Sequence, residues 1–482
     1  HTVVHDATYT TCRRLPGPDW VPDWILRAAS ISLDNEEEVG VADGAYLSFK
    51  GVPILPVPAI SFPLTEKRKS GLLPLTVGVD SVSGTTLALP YYWNIAPNMD
   101  ATIAPRIIAK RGVLLSNEFR YLGKSYSAKI TQGRVDKGRM TADDQKKILD
   151  RIQATGSVDD LKGCDLIIEA VFENRELKAK VTKESEPLLA PGGFFASNTS
   201  TLPISGLATA SVAPEKFIGI HFFSPVDKMK LVEIIRGKQT DDETVARAFD
   251  YVQSLGKIPI VVNDSRGFYT SRTFGTFVME GAAMLGEGIP AAVVENAGIQ
   301  AGMPVGPLAV LDETALTLSV HVLDQTRADY AAEGKTYTAT PGELLVERMV
   351  KELKRPGRAG GGGFYDYPAG AKKHLWPELK PLFEKSGVEW SVQEIQDRLL
   401  YRQAIETARC LAEGVLTSVH DANIGSIFGI GFPAWTGGAM QFIYGTGVEA
   451  FLQRSDQLAA AYGAGFALDS DTRRAITQFR PA

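Results

Sequence analysis

Residues 217–235 read FIGIHFFSPVDKMKLVEII. An apolar run from Phe217 to Phe222 holds His221 and enters a turn at Ser224-Pro225, and a second run from Leu231 to Ile235 carries Glu233. Runs this short, bounded by turn residues and rich in β-branched and aromatic side chains, read as strands. If the two strands are neighbours, Glu233 reaches the His221 ring. An imidazole held by a carboxylate keeps one tautomer and suits proton transfer near neutral pH. These residues alone leave other readings open: a histidine at a strand end also serves as a satisfied core residue, and Glu233 as an exposed strand residue.

Upstream, residues 165–171 (DLIIEAV) form a buried-strand run, followed by a polar helix over 175–189 and a short apolar strand over 193–196. Downstream, a helix over 243–255 repeats Val245, Phe249, Val252 and Leu255 on one side, and a strand spans 258–262. Another helix starts at Thr141, where Asp144 completes a capping-box-like pair, and runs through Ile152. The alternation predicts an α/β domain with a largely parallel sheet and helices on its faces. The segment 197–201 (SNTST) falls at a strand-to-helix turn, where hydroxyls and an amide can face a ligand. Ser200 or Thr201 as a simple helix cap is the competing reading.

After about residue 266 long helical patterns replace the strands, broken by loops at 355–363 (RPGRAGGGG) and 365–370. Glu280, Leu285, Glu287 and Gly288 recur 126 positions later as Glu406, Leu411, Glu413 and Gly414. A Gly-Met-Pro turn at 302–304 is matched by Gly-Phe-Pro at 431–433. Two copies predict a duplicated helical unit; a solenoid needs three or more. The apolar positions Leu400, Ala404, Ala408, Leu411 and Val415 suit packing between subunits of a dimer or within one chain equally.

Residues 1–122 differ: they hold 11 of the 27 prolines and three of the six tryptophans, with almost no helix-length periodic run. Positions 85–95 alternate Leu87, Leu89, Tyr91, Trp93 and Ile95 against smaller or polar residues, a period-two strand that Pro90 would confine to an edge or bulge. Shorter strands are expected at 31–33 and 45–49, and solvated turns at the charge runs Glu36 to Glu38 and Lys67 to Lys69.

With 482 residues, 44% hydrophobic and 22% charged, the chain is long enough for several cored domains, which excludes a wholly disordered or collagen-like protein. A net charge of −5 gives no basic footprint for nucleic acid. Cys12, Cys164 and Cys410 cannot build a disulfide framework and match no zinc spacing. No apolar run approaches the ~18 residues of a spanning helix. His1 shows neither an initiator Met nor a signal-peptide pattern, so the start reads as cut.

The motifs DLIIEAVFEN (165–174), ASNTSTLPIS (196–205), FIGIHFFSPVDKMKLVEII (217–235), LGKIPIVVNDSRGFYTSR (255–272), GFYDYPA (363–369) and GIGFPAWTGG (429–438) are collinear. From about Gly123 to the end the chain resembles the 3-hydroxyacyl-CoA dehydrogenase region of the bacterial multifunctional fatty-acid oxidation protein. The resemblance implies a partial Rossmann-type domain over 123–266, then all-α duplicated C-terminal domains over 267–368 and 369–482. It implies oxidation of an L-3-hydroxyacyl-CoA to a 3-oxoacyl-CoA with NAD, in fatty-acid β-oxidation. It places His221 on the general base, Glu233 on its carboxylate partner and Ser200 on the hydroxyl that bonds the substrate oxygen. Glu173, Lys178 and Asn198 match positions facing the dinucleotide. Many members carry Asn where this chain has Ser271, and a hydroxyl offers fewer contacts to the acyl oxygen than an amide. A cytoplasmic enzyme follows, with an acyl-CoA substrate and a homodimer or a thiolase as candidate partners.

The glycine-rich G-x-G-x-x-G turn that seats a pyrophosphate on a helix N-terminus does not occur in the chain. Residues 360–363 follow no strand and read as a flexible loop; Gly429, Gly431, Gly437 and Gly438 open no βαβ unit. Impaired NAD binding is therefore expected. The segments TYTTC (8–12), 47–74, 89–112 and NEFRYL (117–122) resemble instead the outer-membrane lipopolysaccharide-assembly β-barrel protein. That resemblance implies a β-rich fragment, places Cys12 on a family disulfide cysteine, and brings in a membrane only if the fragment functions. The chain thus reads as a join of two fragments near Leu122–Gly123. Two competing readings follow: an outer-membrane assembly fragment, and a non-catalytic chimeric scaffold.

Overall fold

The computed structural model describes residues 2–9, 24–34, 39–49, 52–63, 70–72, 76–80, 84–88, 91–96, 99–108, 112–121, 124–368 and 370–479. Cys12, Pro90, both charge runs and the join at Leu122–Gly123 lie outside the described residues. The chain folds as two units, His1–Asp160 and Leu161–Ala482.

The first unit holds two antiparallel sheets. Strands β1 (Thr2–Tyr9), β2 (Trp24–Asp34), β3 (Val39–Phe49) and β4 (Val52–Pro63) pair in chain order, and Ala28, Ala42 and Ala45 form a small buried cluster. β2 and β3 extend well past the expected 31–33 and 45–49, because the ladder continues through polar positions such as Ser30 and Asp43. The second sheet contains β5 (Gly71–Leu72), β6 (Thr76–Asp80), β7 (Gly84–Ala88), β8 (Tyr91–Ala96), β9 (Met99–Ile108) and β10 (Gly112–Tyr121). β7 and β8 meet β9 in one register, Thr86 opposite Ile108 through Trp93 opposite Ala101, so the strand expected over 85–95 is present in two segments. Among the described residues β6 and β5 pair along its other side, so these segments are not at an edge, and the register shifts between Asn94 and Ala96. Helices α1 (Lys124–Val135) and α2 (Ala142–Asp150), expected with the dehydrogenase-like part, belong to this unit. Thr141 caps α2 as expected, accepting from Asp144 N at 3.1 Å.

The second unit opens on a five-stranded sheet of β11 (Cys164–Glu169), β12 (Leu189–Ser197), β13 (Phe217–Phe222), β14 (Leu231–Arg236) and β15 (Ile258–Asn263), in chain order. Every pair is parallel except β13–β14. Side-chain parity divides the sheet into two faces. Phe194, Ala196, Ile218, Ile220, Val232 and Ile234 face one core, shared with Ala248 and Val252 of helix α5 (Asp242–Ser254). Phe195, Phe217, Leu231 and Ile235 face the other. Val245 and Phe249 pack on the α5 side as expected, whereas Leu255, just past the helix end, is exposed. Helix α3 (Arg175–Ser185) joins β11 to β12; the expected helical run to residue 189 passes at Glu186–Leu188 into a 3-10 turn containing Pro187. A short helix α4 (Ile204–Leu207) follows β12.

The remainder is helical. The first set is α6 (Thr270–Glu287), α7 (Ala291–Ala301), α8 (Pro307–Thr314), α9 (Leu316–Ala332) and α10 (Pro341–Lys351). A small hairpin of β16 (Tyr365–Asp366) and β17 (His374–Leu375) precedes the second set. That set is α11 (Leu379–Phe383), α12 (Val392–Ala412), α13 (Val419–Ile430), α14 (Ala439–Thr446), α15 (Val448–Tyr462) and α16 (Ser470–Gln478). The repeat read in the sequence has a physical counterpart. Arg272 and Arg398 also stand 126 positions apart (398 − 272). Arg272 of α6 binds Glu406 of α12 and Glu413 just beyond it, and Arg398 of α12 binds Glu280 and Glu287 of α6. Each copy thus clamps the other with its equivalent residues. Leu400, Ala404, Ala408, Leu411 and Val415 are all buried inside the chain.

Residues 360–363, read as a flexible loop, lie in a hydrogen-bonded turn in which Gly357 and Gly362 pair through their backbones. Arg355 donates to the carbonyls of Gly363 and Tyr365, and the fully buried Asp312 accepts from Phe364 N and Tyr365 N at 2.8 Å each. Backbone proximity is closer still where α10 crosses α6: a Cβ on Gly342 would lie 2.0 Å from Met279 O. A main-chain oxygen inside a helix cannot move aside. Gly342→Ala is expected to lower stability by about 1–3 kcal/mol, read as a shift in the urea midpoint; an unchanged midpoint would contradict the crossing.

Candidate active site

His221 sits on β13 with the parity of Phe217, and Glu233 on β14 with the parity of Leu231 and Ile235, so both point to the same face of the sheet. The antiparallel register sets them directly opposite one another. His221 Nδ1 lies 3.0 Å from Glu233 Oε2. The Glu233 carboxylate is fully buried, and three further donors fix it. Tyr269 N and Thr270 N, at the start of α6, donate to Oε1 at 3.0 and 3.1 Å, and the Thr270 hydroxyl donates to Oε2 at 2.5 Å. Nδ1 must carry its proton to bond an ionised carboxylate, which leaves Nε2 as the acceptor nitrogen. The rings of Phe223 and Phe268 stand 4.4 and 6.3 Å from the imidazole. Tyr269 is buried, which pushes its phenol well above the usual range, and it donates to Ala422 O at 2.7 Å.

A second cluster lies at the carboxyl ends of β11 and β12. Glu173 Oε1 accepts from Thr199 Oγ1 at 2.7 Å, Ser200 N and Thr201 N at 2.9 Å each, and Thr201 Oγ1 at 3.1 Å. This ties the β11–α3 turn to the SNTST segment and leaves Ser200 itself exposed. Asn198 Oδ1 accepts from Phe222 N at 3.1 Å, which joins this cluster to the strand carrying His221. Lys178, expected to face a dinucleotide, is buried: its ammonium meets Glu169 Oε1 at 3.0 Å and Asn198 O at 3.2 Å. It holds two strand ends together. Ser271 is half-buried in the first turn of α6, and no hydrogen bond joins its hydroxyl to the His221–Glu233 pair.

Sequence reading missed Tyr269 and Thr270, and it placed Thr199 and Thr201 in a ligand-facing turn without their bonds to Glu173. The signal was present in the SNTST and GFYTSR segments, but which atoms they bond depends on elements distant in the chain. It also missed Asp329 of α9, which accepts from Arg175 at 2.8 and 3.0 Å and pairs with Arg266. The Arg175 guanidinium hydrogen-bonded to it, aided by Arg266, holds the Asp329 carboxyl well below the usual carboxylate range.

Two family descriptions match this chain in succession: 3-hydroxyacyl-CoA dehydrogenase, NAD binding domain, over residues 113–265, and 3-hydroxyacyl-CoA dehydrogenase, C-terminal domain, over 267–367. Together they take in more than half of the chain. The chain belongs to the 3-hydroxyacyl-CoA dehydrogenase family. A third description, LptD protein, matches residues 41–146. Among solved structures, the chain is similar to 3-hydroxybutyryl-CoA dehydrogenase from Escherichia coli K12, with 20% identity over 74% of this chain and 90% of that one, and a TM-score of 0.61. The dehydrogenase part of multifunctional enzyme 1 from C. elegans gives 22% identity over 73% and 81%, at a TM-score of 0.50. (S)-3-hydroxybutyryl-CoA dehydrogenase from Ralstonia eutropha gives 34% identity over 51% and 86%, at a TM-score of 0.47. Among the described residues no helix is long and apolar enough to cross a membrane.

NAD is the cofactor of this dehydrogenase family. In a dinucleotide fold with strand order 3-2-1-4-5-6, the pyrophosphate sits on the turn after strand 1, beside strand 4. The parallel strands β11, β12 and β13 match the 4-5-6 half, and β11 terminates the sheet. Among the described residues, the strands ahead of α1 pair antiparallel, as β9 with β10. The described residues of this sheet therefore supply one half of a dinucleotide fold.

Proposed function

We propose that this chain is an NAD-linked 3-hydroxyacyl-CoA dehydrogenase of fatty-acid β-oxidation, weakened in cofactor binding. The substrate is an L-3-hydroxyacyl-CoA and the product a 3-oxoacyl-CoA. The observation that carries the reading is the His221–Glu233 pair, registered across β13 and β14 at 3.0 Å. His221 Nε2 accepts the proton of the 3-hydroxyl, and the buried carboxylate stabilises the imidazolium that forms. The exposed Ser200 hydroxyl bonds the substrate oxygen, and Ser271 offers a single donor to the acyl oxygen. Glu173 and Asn198 shape the cofactor side, with Glu173 acting through the Thr199–Thr201 backbone. Lys178 supports that side from within. A homodimer or a thiolase complex would have to use surfaces other than the α12 positions already buried within the chain.

The test is an assay of 3-hydroxybutyryl-CoA oxidation at millimolar NAD, followed as NADH absorbance. Product formation supports the reading, and none at any NAD concentration removes it. Alongside it, an NADH fluorescence titration is expected to show no saturation at micromolar concentrations, because the amides that would cradle the pyrophosphate are missing. Tight binding would overturn the impairment while leaving the reaction in place.

A further inference from the structure

Helix α9 lies over the carboxyl ends of β11 and β12. Glu173, Thr201, Leu202 and Arg266 on one side face His321, Val322, Gln325 and Thr326 on the other, across a void of about 20 Å³. That is room for about one water, far below the ~300–1,000 Å³ of a small-molecule site. No substrate enters there unless α9 shifts.

One residue ties α9 down. Asp329 meets Arg175, the first residue of α3, at 2.8 and 3.0 Å, and Arg266 from the segment between β15 and α6. Gln325 Nε2 steadies the same carboxylate at 2.8 Å. Among the described residues Asp329 is the only anionic partner of either arginine. The carboxylate is 13% exposed, whereas the two arginine side chains are 43% and 34% exposed. Solvent and mobile ions therefore reach the contact from the arginine side, and a polyanionic ligand can compete for it.

We propose that Asp329 is a positioning residue that latches α9 over the ligand site, and that acyl-CoA enters when this contact releases. The inference rests on the active-site reading above for the location of the site. Its chemistry is a carboxylate exchanged for the phosphates of the incoming acyl-CoA at Arg175 and Arg266.

Hydrogen–deuterium exchange on the full chain without ligand tests the latch. Asp329→Asn keeps the shape and removes the charge. Amides over 321–332 are expected to exchange about tenfold faster, the loss of one charge-assisted contact, with α6 and α12 unchanged. Raising KCl to 1 M should loosen the same segment in the unaltered chain. Asp324→Asn, which removes a carboxylate paired elsewhere with Arg327 and Lys351, should leave it protected. Stopped-flow association of acetoacetyl-CoA should quicken about tenfold in Asp329→Asn. Unchanged protection over 321–332, equal loosening throughout the helices, or an unchanged association rate overturns the proposal. A released α9 in a chain that never oxidises 3-hydroxybutyryl-CoA would keep the latch and remove the dehydrogenase reading instead.

Discussion

Replacing Glu233 by Ala is expected to destabilise the Leu161–Ala482 unit by about 3–5 kcal/mol, the range for breaking a buried ionic contact. The carboxylate is fully buried and takes hydrogen bonds from His221, from the Thr270 hydroxyl and from two backbone N–H groups at the start of α6. Alanine leaves those donors without a partner in a site that water does not reach, and each orphan costs about 1–3 kcal/mol. It also opens a cavity beneath the helix that begins the duplicated region. Glu233→Gln fills the space and keeps one acceptor oxygen, so it should cost much less. Because the chain has two units, the measurement needs the helical far-ultraviolet signal, which this unit dominates, followed through urea unfolding. A loss below about 1 kcal/mol would mean that the carboxylate does not anchor α6.

Replacing His221 by Ala should lower the rate of 3-hydroxybutyryl-CoA oxidation by about 10²–10⁴-fold, the usual contribution of a positioned general base. The effect should fall on kcat with little change in KM, since the imidazole acts on a proton that moves in the transition state. The comparison is made at millimolar NAD, so that weak cofactor binding does not mask it. His221 makes one side-chain hydrogen bond, against four for Glu233, so stability should change far less than in Glu233→Ala. A rate within tenfold of the unaltered chain would remove His221 from the base's role.

Much of the site was legible before any coordinates. Strand β13 falls where the apolar run placed it, because a run between turn residues has few ways to bury itself. The internal repeat was legible from the recurrence of Glu280 and Glu287 as Glu406 and Glu413. That each pair grips the other copy's arginine was not, because the contact joins side chains more than a hundred residues apart. Lys178 shows the limit most clearly. The resemblance placed it facing a dinucleotide, yet packing turned it inward onto Glu169, where the ion pair and two carbonyls satisfy the ammonium.

By itself the sequence determined the α/β pattern, the duplicated helices and the absence of a glycine-rich turn. These follow from local periodicity and residue type, which neighbours along the chain encode. Only the tertiary structure decided that β13 and β14 run antiparallel with His221 opposite Glu233, that α6 supplies the amides holding that carboxylate, and that Asp329 of α9 meets Arg175 and Arg266. Each depends on register and on contacts between remote segments, where a shift of one residue would turn the side chain to the other face of the sheet.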